Sequence, residues 1–161
     1  MTLAFIALGS NLGDAQAQVL GAFGALNGLA QTRLVARSPL YLTPPWGVLD
    51  QPAFINAVAQ IDTALTPHEL LDALLKVERD AGRVRDGERW GPRTLDLDVL
   101  HMEGVALSDE RLTLPHPRMA ERAFVLLPLN DLAPALVVPG QGTVIRMTMP
   151  SARIVPAREV A

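Results

Sequence analysis

Asp96 and Asp98 stand two apart in Arg89-Trp90-Gly91-Pro92-Arg93-Thr94-Leu95-Asp96-Leu97-Asp98, an alternating run that starts just after a Gly-Pro break. In a β-strand, residues two apart share a face, so both carboxylates project together while Leu95, Leu97 and Val99 point the other way. Two rises of roughly 3.3 Å separate their Cα atoms by about 7 Å. Carboxylates so placed can hold two hard cations about 3.5–4 Å apart. Upstream crowd Arg83, Arg85, Arg89 and Arg93. Guanidinium forks of this kind stabilise charge on a transferring phosphoryl group, and Mg²⁺ suits one or two carboxylates plus substrate phosphates. An isolated Asp-x-Asp on a solvated edge strand is commonplace. The arginines and the Trp-Gly-Pro turn tip this one toward metal and polyphosphate. Within the same segment, Trp90 serves equally well as a packing anchor or as a surface for stacking a base. Framed by Gly82 and Gly91, the segment has the form of a lid.

Other features remove competing chemistries. Lys76 is the only lysine, so no Gly-Lys-Ser/Thr follows a glycine loop and the commonest phosphate scaffold is excluded. The chain has no cysteine, which rules out disulfides, thiol nucleophiles and thiolate-ligated zinc. A net charge of −3 gives no reason to expect nucleic-acid binding. The apolar start Thr2–Leu8 lacks a basic flank and stops at Gly9-Ser10-Asn11, too short for a signal peptide or a membrane span. A cytoplasmic, monomeric protein without membrane or nucleic-acid partners is expected. With 161 residues, 49% of them hydrophobic, the chain fits one domain over 1–161 that buries roughly 70% of its unfolded surface.

The elements that must position the aspartates follow from periodicity. Thr2–Leu8 reads as a buried strand, and Asp14 can cap a helix over about 15–29 with Val19, Phe23, Leu26 and Ala30 on one face. Thr32–Leu42 reads as a second strand that ends near Pro39, followed by a turn-rich loop from Thr43-Pro44-Pro45-Trp46-Gly47 to Gln51-Pro52. Along 53–63, Ala53, Ile55, Ala57, Ala59 and Ile61 share one face, and Phe54, Asn56, Val58 and Gln60 the other. Thr66-Pro67-His68-Glu69 forms a capping box for a helix to about Ala81, with Leu70, Leu74 and Val77 inward and Glu78 on the Leu71/Leu75 edge. Leu95–Met102 is the fourth strand. The order β-α-β-β-α-β predicts an α+β protein with a ferredoxin-like core: an antiparallel sheet with helices packed on it and C-terminal additions. A short hairpin (Val105–Leu107 with Arg111–Leu114), the Pro115-His116-Pro117 loop and a helix near Met119–Leu129 come next. Beyond Gln141 the pattern is weak, and fraying is expected at the end.

Several side chains could serve a ligand. Asn56 carries an amide able to donate to and accept from a heterocycle edge, although from spacing alone a bond to the neighbouring loop is the better reading. Phe54 shares the Asn56 face, opposite the apolar one, while Trp46 and Phe124 are rare aromatics in a chain with only 4%, with core packing the default for each of those two. His116 sits in a stiff loop. For Glu78 the ordinary reading is a salt bridge to an arginine. No role follows for His68 or His101.

Taken together, these segments resemble 6-hydroxymethyl-7,8-dihydropterin pyrophosphokinases of folate biosynthesis. The matching stretches are Ala7-Leu8-Gly9-Ser10-Asn11-Leu12-Gly13, Tyr41-x-Thr43-x-Pro45, Gln51-Pro52-x-Phe54-x-Asn56, Glu78-x-x-x-Gly82-Arg83-x-Arg85, the Arg89–Asp98 run and Leu114-Pro115-His116-Pro117-Arg118-Met119, covering roughly residues 4–140. The resemblance implies transfer of pyrophosphate from ATP to a pterin alcohol, with release of AMP. It implies that Asp96 and Asp98 hold two Mg²⁺ ions and that Arg83 and Arg93 act on the phosphates. It further implies a pterin between Phe54 and Phe124, read by Asn56 and the Thr43-Pro44 loop with Trp46 nearby. ATP contacts are implied at Leu71, Glu78, Arg85, Trp90, Val99, Arg111, Leu112, Thr113, His116 and Arg122. Residues 141–161 lie outside the resemblance.

Two other functions fit parts of the pattern. Nucleotidyltransferases also pair Gly-Ser with Asp-x-Asp, but close in sequence, whereas Gly9-Ser10 and Asp96 are far apart here. A non-catalytic binding module on the same fold has no need of both aspartates and both arginines.

Overall fold

The computed structural model describes residues 1–43, 52–82 and 94–148, and the backbone of a final strand at 158–160. The first half is β1 (Thr2–Ser10), α1 (Ala15–Asn27), β2 (Thr32–Arg37), β3 (Leu40–Thr43), β4 (Phe54–Thr63) and α2 (Pro67–Asp80). Then come β5 (Asp96–Met102), β6 (Leu107–Ser108), β7 (Thr113–Leu114), a 3₁₀ turn (Met119–Glu121) and α3 (Ala123–Leu132). The pairs β8 (Val137–Val138) and β9 (Gly142–Thr143), helical residues 144–148 and β10 (Arg158–Val160) complete the described chain. No helix among the described residues is long and apolar enough to cross a membrane.

The main sheet runs β10-β3-β4-β1-β5, with β2 also on β4, and every pairing is antiparallel. Thus β1-α1-β2 straddles β4, while β4-α2-β5 straddles β1. Two interlocked split βαβ units result, which is the ferredoxin-like order expected from the sequence.

Both faces of the sheet are covered. Ala4, Ile6 and Leu8 of β1, Ile55, Ala57, Ala59 and Ile61 of β4, and Leu97 and Val99 of β5 pack against Val19, Phe23 and Leu26 of α1 and Leu70 and Leu74 of α2. On the opposite face Phe5, Val58 and Leu100 meet Met119, Val125 and Leu129, joined by Val138 and Val144. This double cover explains why β4 is buried almost continuously rather than on alternate residues. It also brings order to part of the chain expected to be irregular: Val144 completes the second core, and β10 pairs with β3 from Arg158↔Leu42 to Val160↔Leu40.

The expected strand Thr32–Leu42 is two strands. Pro39 has no N–H for the ladder. Ser38 bridges the break: its N–H bonds Val58 O at 2.9 Å, and its hydroxyl accepts from Val58 N at 2.8 Å and donates to Pro39 O at 2.8 Å. The first helix ends at Asn27 rather than near residue 29, and α2 starts at the predicted capping box, with both reciprocal bonds present.

Ser38 is 1% exposed, so removing its hydroxyl leaves the Val58 N–H buried without a partner. Ser38→Ala should therefore cost about 1–3 kcal/mol in urea unfolding, whereas alanine at exposed Ser108 should cost under about 0.5 kcal/mol.

Candidate functional site

Register places the chemistry. β1 is central, and Gly9 pairs with Asn56 of β4 on one side and Asp96 of β5 on the other. Ala7 likewise pairs with Val58 and Asp98. Register partners in antiparallel strands share a face, so Tyr41, Asn56, Gly9 and Asp96 form one row across four strands, with Phe54 and Thr43 beside it. Two strand spacings of roughly 4.8 Å separate the Asn56 and Asp96 backbones by about 10 Å. This is the face covered by α3, but Phe54, Asp96 and Asp98 remain only half-buried at its open end.

The Asn56 amide is fixed. Its Nδ2 donates to Thr43 Oγ1 at 2.6 Å, and Asn56 and Thr43 are 7% and 2% exposed. The bond to the neighbouring loop foreseen from the sequence is thus present, yet it uses one of two amide hydrogens. The other hydrogen and the oxygen remain to read a ligand.

The end of β1 braces both neighbours. Ser10 and Asn11, read from the sequence as a turn, are buried. The Ser10 hydroxyl donates to Thr94 O at the entrance to β5, and Asn11 Nδ2 donates to Pro52 O, at 2.9 Å, at the entrance to β4. Polar residues directly after an apolar strand were the available signal; their partners lie 84 and 41 residues away.

Glu78 sits deeper than its assigned helix edge. It continues the stripe of Leu70 and Leu74, is 1% exposed, and its Oε2 accepts the Leu97 N–H at 2.8 Å. Leu97 lies between the two aspartates on a strand whose only sheet partner among the described residues is β1. The buried carboxylate therefore ties the outer edge of the aspartate strand to α2. Val99 is likewise in the α1/α2 core, on the face away from the aspartates.

His116 comes from the loop after β7, where the Leu114–Pro115 bond is cis. Its backbone N–H bonds Leu100 O at 2.8 Å, and its Nδ1 accepts the Arg118 N–H at 3.1 Å. That leaves the ring proton on Nε2. Burial first, then the positive charge of Arg122, pushes the His116 pKa down to about 4, against an opposing pull from Asp96. His116 is thus a neutral donor within electrostatic reach of Asp96. Arg122 precedes α3, with its guanidinium 5.7 Å from the Phe124 ring centroid, and Phe124 packs beside the Phe5, Val58 and Leu100 cluster.

A second group lies at the α2 side. Asp109 Oδ1 accepts the Arg111 and Leu112 N–H groups, each at 2.9 Å, shaping the turn between β6 and β7. His68 Nε2 meets Asp109 Oδ2 at 2.7 Å and Arg111 pairs with Asp72, docking the turn on α2. Leu112 packs on the main core, and Thr113 pairs with Ser108. His68, given no role from the sequence, is therefore a structural anchor for Arg111, Leu112 and Thr113; Leu71 is half-buried on the same helix. Pro44, Trp46, Arg83, Arg85, Trp90 and Arg93 lie outside the described residues.

The donor set suits a hard cation that keeps other ligands. Asp96 and Asp98 offer carboxylate oxygens on one half-buried face. Among the described residues no cluster of three His, Cys, Asp or Glu side chains forms a complete protein cage. Mg²⁺ fits such a site, because it retains waters and takes phosphate oxygens.

Residues 5–134 match the family model for 7,8-dihydro-6-hydroxymethylpterin-pyrophosphokinase (HPPK). The chain is similar to a 2-amino-4-hydroxy-6-hydroxymethyldihydropteridine pyrophosphokinase of Methylorubrum extorquens, 54% identical over 141 residues that make up 88% of this chain and 89% of the relative. A protein of the same name from Pseudomonas aeruginosa is 54% identical over 135 residues, 84% of this chain and 83% of that one. In fold, the chain is similar to Plasmodium falciparum HPPK-DHPS crystallised with pteroate, with a TM-score of 0.75 at 14% identity. It covers 94% of this chain and spans 42% of that longer polypeptide.

The Glu78 bond can be tested directly. Glu78→Ala strands the Leu97 N–H and should lose about 1–3 kcal/mol in chemical denaturation, with Glu78→Gln, which keeps an acceptor, losing less. His116 sets a pH dependence. The folded state stays unprotonated to about pH 4, whereas the unfolded chain takes up its proton near 6.5. The contribution is full above 6.5 and is lost as pH falls through about 4. Without nucleotide or Mg²⁺, His116→Gln should therefore show a shallower loss of stability over that window than the unaltered protein.

Proposed function

Because the chain belongs to the 7,8-dihydro-6-hydroxymethylpterin-pyrophosphokinase family, we propose that it transfers pyrophosphate from ATP to the hydroxymethyl group of 6-hydroxymethyl-7,8-dihydropterin, releasing AMP, a step of folate biosynthesis. The observation that carries the reading is the row Asn56–Gly9–Asp96, which sets a heterocycle-reading amide on the same sheet face as the carboxylate pair. The chain works as one domain over 1–161, its final strand adding to the sheet beside β3.

In this reading the pterin lies against Phe54 and Phe124, with Asn56 and the Thr43-Pro44 segment along its polar edge and Trp46 nearby. Asp96 and Asp98 hold Mg²⁺, which when bound neutralises phosphate charge. ATP extends toward Leu71, Glu78, Val99, Arg111, Leu112 and Thr113, with Arg85 and Trp90 from the adjoining segment. The hydroxymethyl oxygen attacks the β-phosphorus of ATP in line. The new O–P bond forms as the bond from the β-phosphorus to the α,β-bridging oxygen breaks, AMP leaves with that oxygen, and the hydroxyl proton passes to solvent. Arg83 and Arg93 stabilise charge on the phosphates, while neutral His116 donates through Nε2 and Arg122 adds positive charge. Phosphoryl transfer needs positioning and charge stabilisation more than a strong base, and no described side chain is assigned that role.

Incubation with ATP, Mg²⁺ and the pterin alcohol should yield AMP and the pterin pyrophosphate in equal amounts; ADP or free pyrophosphate as the product would rule the reaction out. Asp96→Ala should lower turnover by at least about a hundredfold at saturating Mg²⁺. Near-normal turnover in that variant would remove the metal assignment.

A further inference from the structure

Gly9 stands between the recognition amide and the metal carboxylate. Its backbone is not in the left-handed region, so conformational freedom does not require a glycine there. Space does. A Cβ built on Gly9 would lie 2.8 Å from Asn56 Oδ1, well inside van der Waals contact. Asn56 cannot step aside and keep its present contacts, because its backbone is in register with Gly9 and Tyr41, and its amide is tied to buried Thr43 at 2.6 Å. The strand itself need not move, since the atom in the way is the end of a side chain.

We propose that Gly9 is a positioning residue for the acceptor heterocycle: having no side chain, it lets the Asn56 amide lie over β1 toward the Asp96 side of the sheet. The inference rests on the assignment of Asn56 to the pterin edge. A methyl group at this position displaces the amide from the orientation set by Thr43 and raises the floor between Asn56 and Asp96. The nucleotide-facing residues of α2 and the β6–β7 turn are untouched. A change at Gly9 therefore acts on one substrate and spares the other, which a simple packing role would not do.

Binding of the pterin alcohol, followed by its own fluorescence, and of Mg²⁺-ATP, followed by calorimetry, would be measured on Gly9→Ala, Asn56→Ala and the double variant. Gly9→Ala should weaken pterin binding roughly tenfold while nucleotide affinity stays within about twofold. In the Asn56→Ala background, adding Gly9→Ala should change pterin affinity little, because the clashing oxygen is gone. The double variant also tests the idea if the single one folds poorly. Equal losses for both ligands, or a full additional loss in the double variant, would overturn the inference. If Asn56→Ala weakens pterin binding and Gly9→Ala does not, only the role of Gly9 falls. If Asn56→Ala itself has no effect, the pterin assignment of Asn56 falls with it.

Discussion

The pairing of β1 with β4 on one side and β5 on the other is the constraint on which the rest of this protein depends. Those ladders fix Gly9 opposite both Asn56 and Asp96, residues 40 positions apart in the chain. A slip of one residue in either ladder would turn its whole set of side chains to the other face. The apolar partners prevent that: Ile6, Leu8, Ile55, Ala57, Ala59, Ile61, Leu97 and Val99 all need the α1/α2 side. Burying the hydrophobic set and aiming the polar set are thus one event. The core does not merely support the site; it sets which residues can meet there.

The aspartate strand is the exposed margin of this arrangement. Among the described residues its only sheet partner is β1, so its other backbone edge needs satisfaction from elsewhere. Glu78 meets part of that need from a helix stripe otherwise made of leucines, and Ser10 holds the strand's entrance. A carboxylate in so buried a place is costly unless bonded, and the bond it makes lies between the two aspartates. Asn11 and Thr43 do similar service beside β4. The polar residues of this region therefore differ in burial: Asp96 and Asp98 are half-exposed, whereas Glu78, Ser10, Asn11 and Thr43 are buried in bonds that hold the strands.

Much of this was legible in the residue order. Thr66-Pro67-His68-Glu69 states its capping box locally, because every partner lies within one turn. The alternation of 53–63 and of Leu95–Asp98 separated the two sheet faces correctly, since period two needs no knowledge of the neighbours. A strand end near Pro39 was visible, but the second strand beyond it and the bridging by Ser38 were not, because the hydroxyl bonds Val58, twenty residues away. Glu78 was placed one stripe too shallow for the same reason: helix periodicity gives an angle, and only β5 decides which angle is buried. The ordering of 141–148 and of β10 escaped detection because their partners, Phe5, Val58 and β3, are remote.

By itself, then, the sequence determined the element types as far as α3, the paired carboxylates, the β-α-β-β-α-β order and, through its motifs, the family. Each depends on short-range spacing or on residue identity. Only the tertiary structure decided that Asn56, Gly9 and Asp96 share one row, that Glu78 braces the strand between the aspartates, and that His116 is kept neutral beside a carboxylate. Those outcomes depend on strand register and on burial, which are set when distant segments exclude water together. No local pattern carries that information.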